Sequence, residues 1–165
     1  LKLIGHVLQM GRAIVLAFNK WDDMDSYDRQ QFQDLVDRKL VFLDFARRYY
    51  ISALHGSGVG KLYHAIDEAY ESASRVINTA TVTKVLMQAV EDHQPPLVGG
   101  RRVKLRYAHI GEHHPLTLVV HGKQVEALPG SYKRYLSSYF RKAFKLVGVP
   151  VIINYSNDYN PYASS

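Results

Sequence analysis

The stretch Ala13 to Asp22, AIVLAFNKWD, constrains this chain more than any other. Six apolar residues in a row, Ala13, Ile14, Val15, Leu16, Ala17 and Phe18, run straight into Asn19, Lys20, Trp21 and Asp22. Such a run reads as a strand buried on both faces that delivers polar side chains at its carboxyl end. Open α/β sheets bind their ligands there.

Asn-Lys-x-Asp after such a strand resembles the guanine-reading motif of the P-loop GTPases, and its residue types suit that task. An ionised Asp22 only accepts hydrogen bonds, and guanine offers two neighbouring donors on one edge where adenine offers an acceptor and no matching pair. Each charge-assisted bond contributes about 1.5 to 3 kcal/mol, and a wrong base also leaves a carboxylate unpaired, so discrimination is large. In the resemblance Lys20 lays its methylene stem over the base, and Asn19 ties the loop and reaches the base's other edge. About thirty residues later come Arg48 to Ala53, RYYISA, and then Leu54-His55-Gly56, a separation that fits one helix and one strand. The same GTPases place a Ser-Ala pair at the end of the next strand, where backbone N–H groups meet guanine O6; Ser52, Ala53 and Leu54 match that place.

The chain has 165 residues, enough for one domain or two small ones, and no cysteine, so disulfides and thiolate metal sites are excluded and a reducing cytoplasm fits. No apolar run approaches the roughly 20 residues of a membrane span, and no signal peptide is visible. The chain starts Leu1-Lys2-Leu3 without methionine and reads as a piece of something longer. Charge divides it: residues 1–78 balance ten Lys/Arg against ten Asp/Glu, whereas residues 79–165 hold eleven against five and so carry the whole net charge of +6. The expected organisation is therefore a neutral domain over 1–78 and a basic one over 79–165. Basic character points to nucleic acid or an acidic protein surface, and no amphipathic segment favours lipid.

In order, Leu1 to Met10 reads as the end of an amphipathic helix stopped by Gly11. After the base motif, Gln30 to Tyr49 has mostly helical spacing, Tyr49 to Ala53 reads as a strand, and Val59 to about Val76 as a helix burying Leu62, Ile66, Ala69, Tyr70 and Ala73. The turn His55-Gly56-Ser57-Gly58-Val59-Gly60-Lys61-Leu62 sits where a phosphate loop would. It fails G-x-x-x-x-G-K-[ST]: His55 stands at the first glycine and Leu62 replaces the magnesium-binding hydroxyl, so it reads as a base-side loop with a helix N-cap. With no phosphate loop, no Asp-x-x-Gly and no switch threonine, this piece has no catalytic residues to assign, and it is expected neither to hydrolyse GTP nor to bind it measurably. Two strands also fall short of a doubly wound sheet, whose remaining strands are expected upstream.

From Thr79 the pattern changes. A helix is expected over Thr81 to His93, ended by Pro95-Pro96; Gly99-Gly100 turns the chain. Arg101 to Ile110 alternates as a strand, Val103, Leu105 and Tyr107 on one side and Arg102, Lys104 and Arg106 on the other. Leu116 to His121 reads as a second strand, Gln124 to Leu128 as a short helical turn, Ser131 to about Val147 as a helix, Val151 to Tyr155 as a strand, and Asn157 to Ser165 as a frayed tail. This order resembles a KH domain of the bacterial kind, a three-stranded sheet with helices on one face. The stretches Gly100-Arg101-Arg102-Val103-Lys104-Leu105-Arg106-Tyr107-Ala108-His109, His121-Gly122-Lys123-Gln124-Val125 and Leu128-Pro129-Gly130-Ser131-Tyr132-Lys133-Arg134-Tyr135-Leu136 are similar to the carboxyl-terminal domain of the EngA (Der) family, tandem GTPases of bacterial ribosome biogenesis. With Asn19-Lys20-Trp21-Asp22 and Ser52-Ala53, the resemblance covers nearly the whole chain. It implies an α/β fold class: a partial P-loop GTPase of the doubly wound parallel type, then an α+β KH-like domain. It also implies a parent that uses GTP and GDP with Mg, acts on the large (50S) ribosomal subunit through rRNA and ribosomal proteins, and has its own GTPase domains as further candidate partners of this one.

The Gly-x-x-Gly clamp of RNA-binding KH domains is replaced here by Leu128-Pro129-Gly130-Ser131, which puts the usual RNA groove in doubt. Two basic surfaces remain. One is Arg101, Arg102, Lys104 and Arg106; the other is the long helix with Lys133, Arg134, Arg141 and Lys145, opposite Tyr132, Leu136, Phe140 and Phe144. Either meets rRNA phosphates, docks on a GTPase domain or is simply solvated, and an RNA- or protein-binding module without a working nucleotide site is the alternative reading. Tyr132, Tyr135 and Tyr139 read as serving the helix's buried or edge face rather than stacking on bases. His109, His113, His114 and His121 lie near one hairpin, but their spacing fits no common metal-ligand pattern.

Overall fold

A computed structural model describes residues 2–158. It contains two compact units, one of residues 12–75 with 146–149, the other of residues 2–11, 76–145 and 150–158. A single cut after residue 78 does not describe this, because the first helix, α1 (Lys2–Gln9), groups with the second unit and a short piece of late chain with the first.

In the first unit, β1 (Leu16–Phe18) and β2 (Arg48–Tyr50) pair in parallel, with Leu16 opposite Arg48 and Phe18 opposite Tyr50. Between them lies α2 (Ser26–Lys39), started by Asp25, whose carboxylate accepts the Asp28 N–H at 2.8 Å. Arg38 and Lys39 occupy its last turn, where the helix dipole favours cations. The helical spacing expected to continue to Tyr49 stops at Leu40, and a 3₁₀ turn, Val41–Leu43, buries Leu43 completely. The run at β1 is not covered on both faces as expected: Ala17 is exposed and its neighbours are half-buried. Among the described residues no third strand joins β1 and β2.

After β2 the chain turns through an isolated bridge between Ser52 and Ser57 into α3 (Val59–Ala73), whose N-cap is Gly58 with no side-chain hydrogen bond. Its buried face is Ala65, Ala69 and Ser72, while Ile66 and Tyr70, expected inside, are 54% and 72% exposed. The reason lies with residues 146–149. Val147 N–H donates to Ser72 Oγ at 3.1 Å, and Gly148 lies against Ala69, so the small-residue face of α3 turns toward this late segment.

The second unit starts its main helix, α4 (Thr79–Asp92), at Asn78, whose side chain accepts the Ala80 N–H at 2.9 Å. A small hairpin follows, β3 (Leu97–Val98) against β4 (Arg101–Arg102), closed by Gly99 and Gly100 at φ +56° and +76°. Positive φ at both turn residues is the two-residue hairpin geometry that glycine adopts without strain. The sheet proper has the order β5 (Lys104–His113), β6 (Leu116–Lys123), β7 (Ile152–Asn157), the first pair antiparallel and the second parallel. A 3₁₀ turn, Val125–Ala127, precedes α5 (Gly130–Ala143), which starts one residue before the expected Ser131. Val82, Leu86 and Ala89 of α4 and Tyr132, Leu136 and Phe140 of α5 are buried with Leu105, Ala108, Leu118 and Val120 of the sheet. Thr83 seals the β5 edge by donating to Ala108 O at 2.7 Å and accepting its N–H at 3.2 Å. This is the α/β arrangement with a KH-like second part.

Four expectations are corrected here. The strand expected from Arg101 to Ile110 breaks at Val103, between the hairpin and β5. Tyr107 does not share a face with Leu105, because the register shifts between them and the extra residue, Arg106, turns Tyr107 outward to 44% exposure. The long helix ends at Ala143 rather than near Val147, and Lys145, at φ +53°, has left the helical face assigned to it. Asn157 is ordered in β7, with its amide oxygen accepting Val125 N–H at 3.1 Å. The remainder of the expected frayed tail, from 159 on, lies outside the described residues.

Candidate nucleotide-binding site

The carboxyl ends of β1 and β2 bring Asn19, Lys20, Asp22, Ser52, Ala53 and Leu54 to neighbouring loops. Backbone bonds lace these loops together: Ile51 N–H donates to Phe18 O at 2.9 Å, and Trp21 N–H to Ile51 O at 3.0 Å. Asn19 adds the side-chain link, its Oδ1 accepting both Lys20 N–H and Ala53 N–H at 2.9 Å. Lys20 adopts φ +65°, a left-handed position that reverses the chain and starts the turn carrying Trp21 and Asp22.

Trp21, which the motif leaves as any residue, is the anchor. Its ring lies 4.2 Å from Tyr50 and 6.3 Å from Phe32, and the Arg29 guanidinium sits 5.4 Å over it while donating to Trp21 O at 3.1 and 3.3 Å. With Trp21 held against the aromatic rings, Lys20 and Asp22 on either side stay outside.

The Asp22 carboxylate is held below its ordinary value of 3.8. The Ser52 hydroxyl does most of this; partial desolvation opposes it, while Asp22's own backbone, His55 and Arg29 reinforce it. Asp22 is thus the ionised, acceptor-only group that the guanine edge requires. Ser52 is 2% exposed, its N–H donating to Ser57 O at 3.0 Å and its oxygen accepting His55 N–H at 3.3 Å. His55 Nε2 lies 3.2 Å from Asp22 Oδ2. Of the three N–H groups expected to face a ligand, those of Ser52 and Ala53 are bonded within the protein, and Leu54's has no partner among the described residues. Trp21, Arg29 and His55 are the residues that the motif did not point to.

The basic residues are dispersed. Arg101 and Arg102 extend the hairpin, Arg102 reaching Gln94 at 3.3 Å, while Arg106 pairs with Asp158 at 3.1 Å. Lys104 and Arg134 are exposed; Lys133 lies 5.0 Å over the Tyr155 ring, and Arg141 reaches Ser137 Oγ at 2.8 Å. No group of three metal-ligating side chains gathers among the described residues, and no helix there is long and apolar enough to cross a membrane.

A family profile described as the KH-domain-like part of EngA bacterial GTPase enzymes, C-terminal, matches residues 76–155. The chain is 52% identical over 162 residues to the GTPase Der of Coxiella burnetii, an alignment covering 98% of this chain and 37% of that protein. It is 52% identical over 163 residues to the GTPase Der of Proteus mirabilis, covering 99% of this chain and 33% of that one. The GTPase Der of Pseudoalteromonas translucida gives 52% over 163 residues, with 34% of its length covered. The chain therefore spans about a third of the curated relatives it matches.

Proposed function

We propose, on the premise that this chain belongs to the EngA (Der) family, that the unit of residues 12–75 with 146–149 is the guanine-reading part of a GTPase domain and that the unit built mainly from residues 76–145 and 150–158 is the KH-like domain joined to it. The parent binds GTP and GDP with magnesium, hydrolyses GTP in the cytoplasm, and assists maturation of the large ribosomal subunit, its nucleotide state controlling association with ribosomal particles. The observation that carries the nucleotide reading is the Asp22 carboxylate, held in a loop laced to the Ser52 to Leu54 turn at the carboxyl ends of two parallel strands.

The donor set present fits the base and not the phosphates. Asp22 accepts the two guanine donors after His55, on its exposed loop, swings off the carboxylate. The Leu54 N–H meets the base oxygen, Lys20 covers the ring, and Asn19 sets the spacing between the two loops. Among the described residues none gathers to ligate a metal ion, and the reading assigns the phosphate and magnesium contacts to other parts of the parent. GTP when bound there supplies the cleavable phosphoanhydride; this chain supplies the choice of base.

Asp22→Asn in the intact parent tests the reading. Two lost charge-assisted bonds of about 1.5 kcal/mol or more each lower GTP affinity on the order of 100-fold, and xanthosine triphosphate, which presents an acceptor where guanine has its amino group, gains. Unchanged preference between the two nucleotides removes Asp22 from the site.

A further inference from the structure

The outward face of the β5–β6–β7 sheet carries a column of rings that neither the basic rows nor the base-reading loops account for. Tyr107 stacks on His121 across the strands at 4.4 Å with 8° between planes, and His109 stacks on the same imidazole at 5.1 Å and 20°. The bulge at Arg106 creates the column, for without it Tyr107 would point into the core beside Leu105. His121 Nε2 is buried with no hydrogen-bond partner, so this imidazole is placed for its π faces rather than its polar edge.

Beyond Tyr107, at the next outward rung of the ladder, Lys104 stands directly opposite Lys123. Both are exposed, and neither has a carboxylate partner among the described residues. Like charges directly opposed across an antiparallel pair destabilise it, a cost that a bound anion relieves. Asn154 and Ser156 continue this face onto β7, opposite Val119 and His121.

An exposed ring beside two unpaired cations matches one ligand chemistry: a base to stack on the tyrosine and phosphates to neutralise the lysines. Duplex RNA hides its base faces, and an acidic peptide offers charge with nothing to stack. We propose that this sheet face binds single-stranded RNA, with Tyr107 at the end of the ring column as the stacking platform and Lys104 and Lys123 as the phosphate contacts. The site lies on the sheet and does not use the Leu128 to Ser131 turn where a KH groove would carry its Gly-x-x-Gly. The proposal deepens the ribosomal reading and rests on it for its biological partner.

The test uses the full 165-residue chain and a fluorescent ten-nucleotide single-stranded RNA, with anisotropy measured across a salt series. Stacking by one base contributes about 1 to 3 kcal/mol, so Tyr107→Leu weakens binding roughly 5-fold to 100-fold with the salt slope unchanged. Lys104→Gln with Lys123→Gln reduces that slope by about 1.4, the value for two phosphates of a single strand. Tyr107→Phe retains binding, which separates stacking from a hydroxyl contact, and far-UV circular dichroism confirms that each variant is folded. Equal affinity for a duplex of the same length, equal competition by polyglutamate, or no loss with Tyr107→Leu overturns the proposal. In the intact parent, Arg101→Glu with Arg102→Glu, on the separate hairpin, reports on ribosomal-particle association separately. If that association falls while Tyr107→Leu leaves RNA binding intact, the sheet-face proposal fails and the ribosomal reading stands.

Discussion

Asn19 shows how one oxygen sets the geometry of a site: by accepting from Lys20 and from Ala53 it fixes the turn carrying Asp22 against the turn carrying Leu54. Asn19→Ala leaves both N–H groups to water, at a net loss of about 0.5 to 1.5 kcal/mol per bond. In the parent, guanine-nucleotide affinity is therefore expected to fall about tenfold with the preference for guanine over xanthosine nucleotide unchanged, as measured by competition titration. Loss of preference would give Asn19 a direct role in choosing the base. The meeting of Asn19, Asp22 and Ser52 at neighbouring strand ends was legible in the sequence because polar residues there close two apolar runs. Trp21, Arg29 and His55 were not, because an aromatic anchor, a guanidinium over a ring and a loop histidine reaching a carboxylate depend on the path of the chain, which spacing does not encode.

At the scale of elements, the junction of α4 and α5 shows where three tyrosines go. Tyr132 donates to His93 O at 2.6 Å, Tyr135 to Ala89 O at 2.7 Å and Tyr139 to Asp92 Oδ2 at 2.5 Å, so α5 satisfies the end of α4. Burial pushes Tyr132 up to about 12, and the Asp92 carboxylate, more than burial, raises Tyr139 to about 12. The unfolded chain ionises these phenols near 10, so their contribution to stability is full below pH 10 and is lost as pH rises toward 12. Urea midpoints taken across that window should fall, and tyrosinate absorbance should rise together with loss of helix. Tyr139→Phe should make the fall shallower, and an unchanged pH dependence would show that this phenol ionises freely in the fold. The stripe of α4 was readable because Val82, Leu86 and Ala89 repeat at helical spacing. The face of α3 was misread in part: Ala69 is buried as expected, but Ile66 and Tyr70 are exposed because small residues lie against residues 146–149. The bulge in β5 escaped because a period of two cannot announce an extra residue.

At the scale of the whole chain, the least expected feature is that the first unit includes residues far along the sequence. Ile14 N–H donates to Gly148 O at 2.7 Å and Gly148 N–H to Phe45 O at 3.1 Å, with Leu146 and Val149 buried. The charge boundary near residue 78 reflects composition and carries no sign of this return, because a contact between residues more than a hundred positions apart leaves no local period. Gly148 is its most sensitive point: at φ +70°, a Cβ there would stand 2.6 Å from Ile14 O. Gly148→Ala therefore combines a left-handed penalty of about 1 to 2 kcal/mol with a backbone clash of about 1 to 3 kcal/mol. Gly56 provides the control, since it has φ +70° with nothing within 4 Å of an added Cβ and its alanine variant carries only the first penalty. In hydrogen exchange on the full chain, Gly148→Ala should strip protection from Ile14 N–H more than Gly56→Ala does. The Ala108 N–H held by Thr83 should keep its protection in both variants. Equal effects of the two substitutions at Ile14 would mean that residues 146–149 do not help to hold the first unit together.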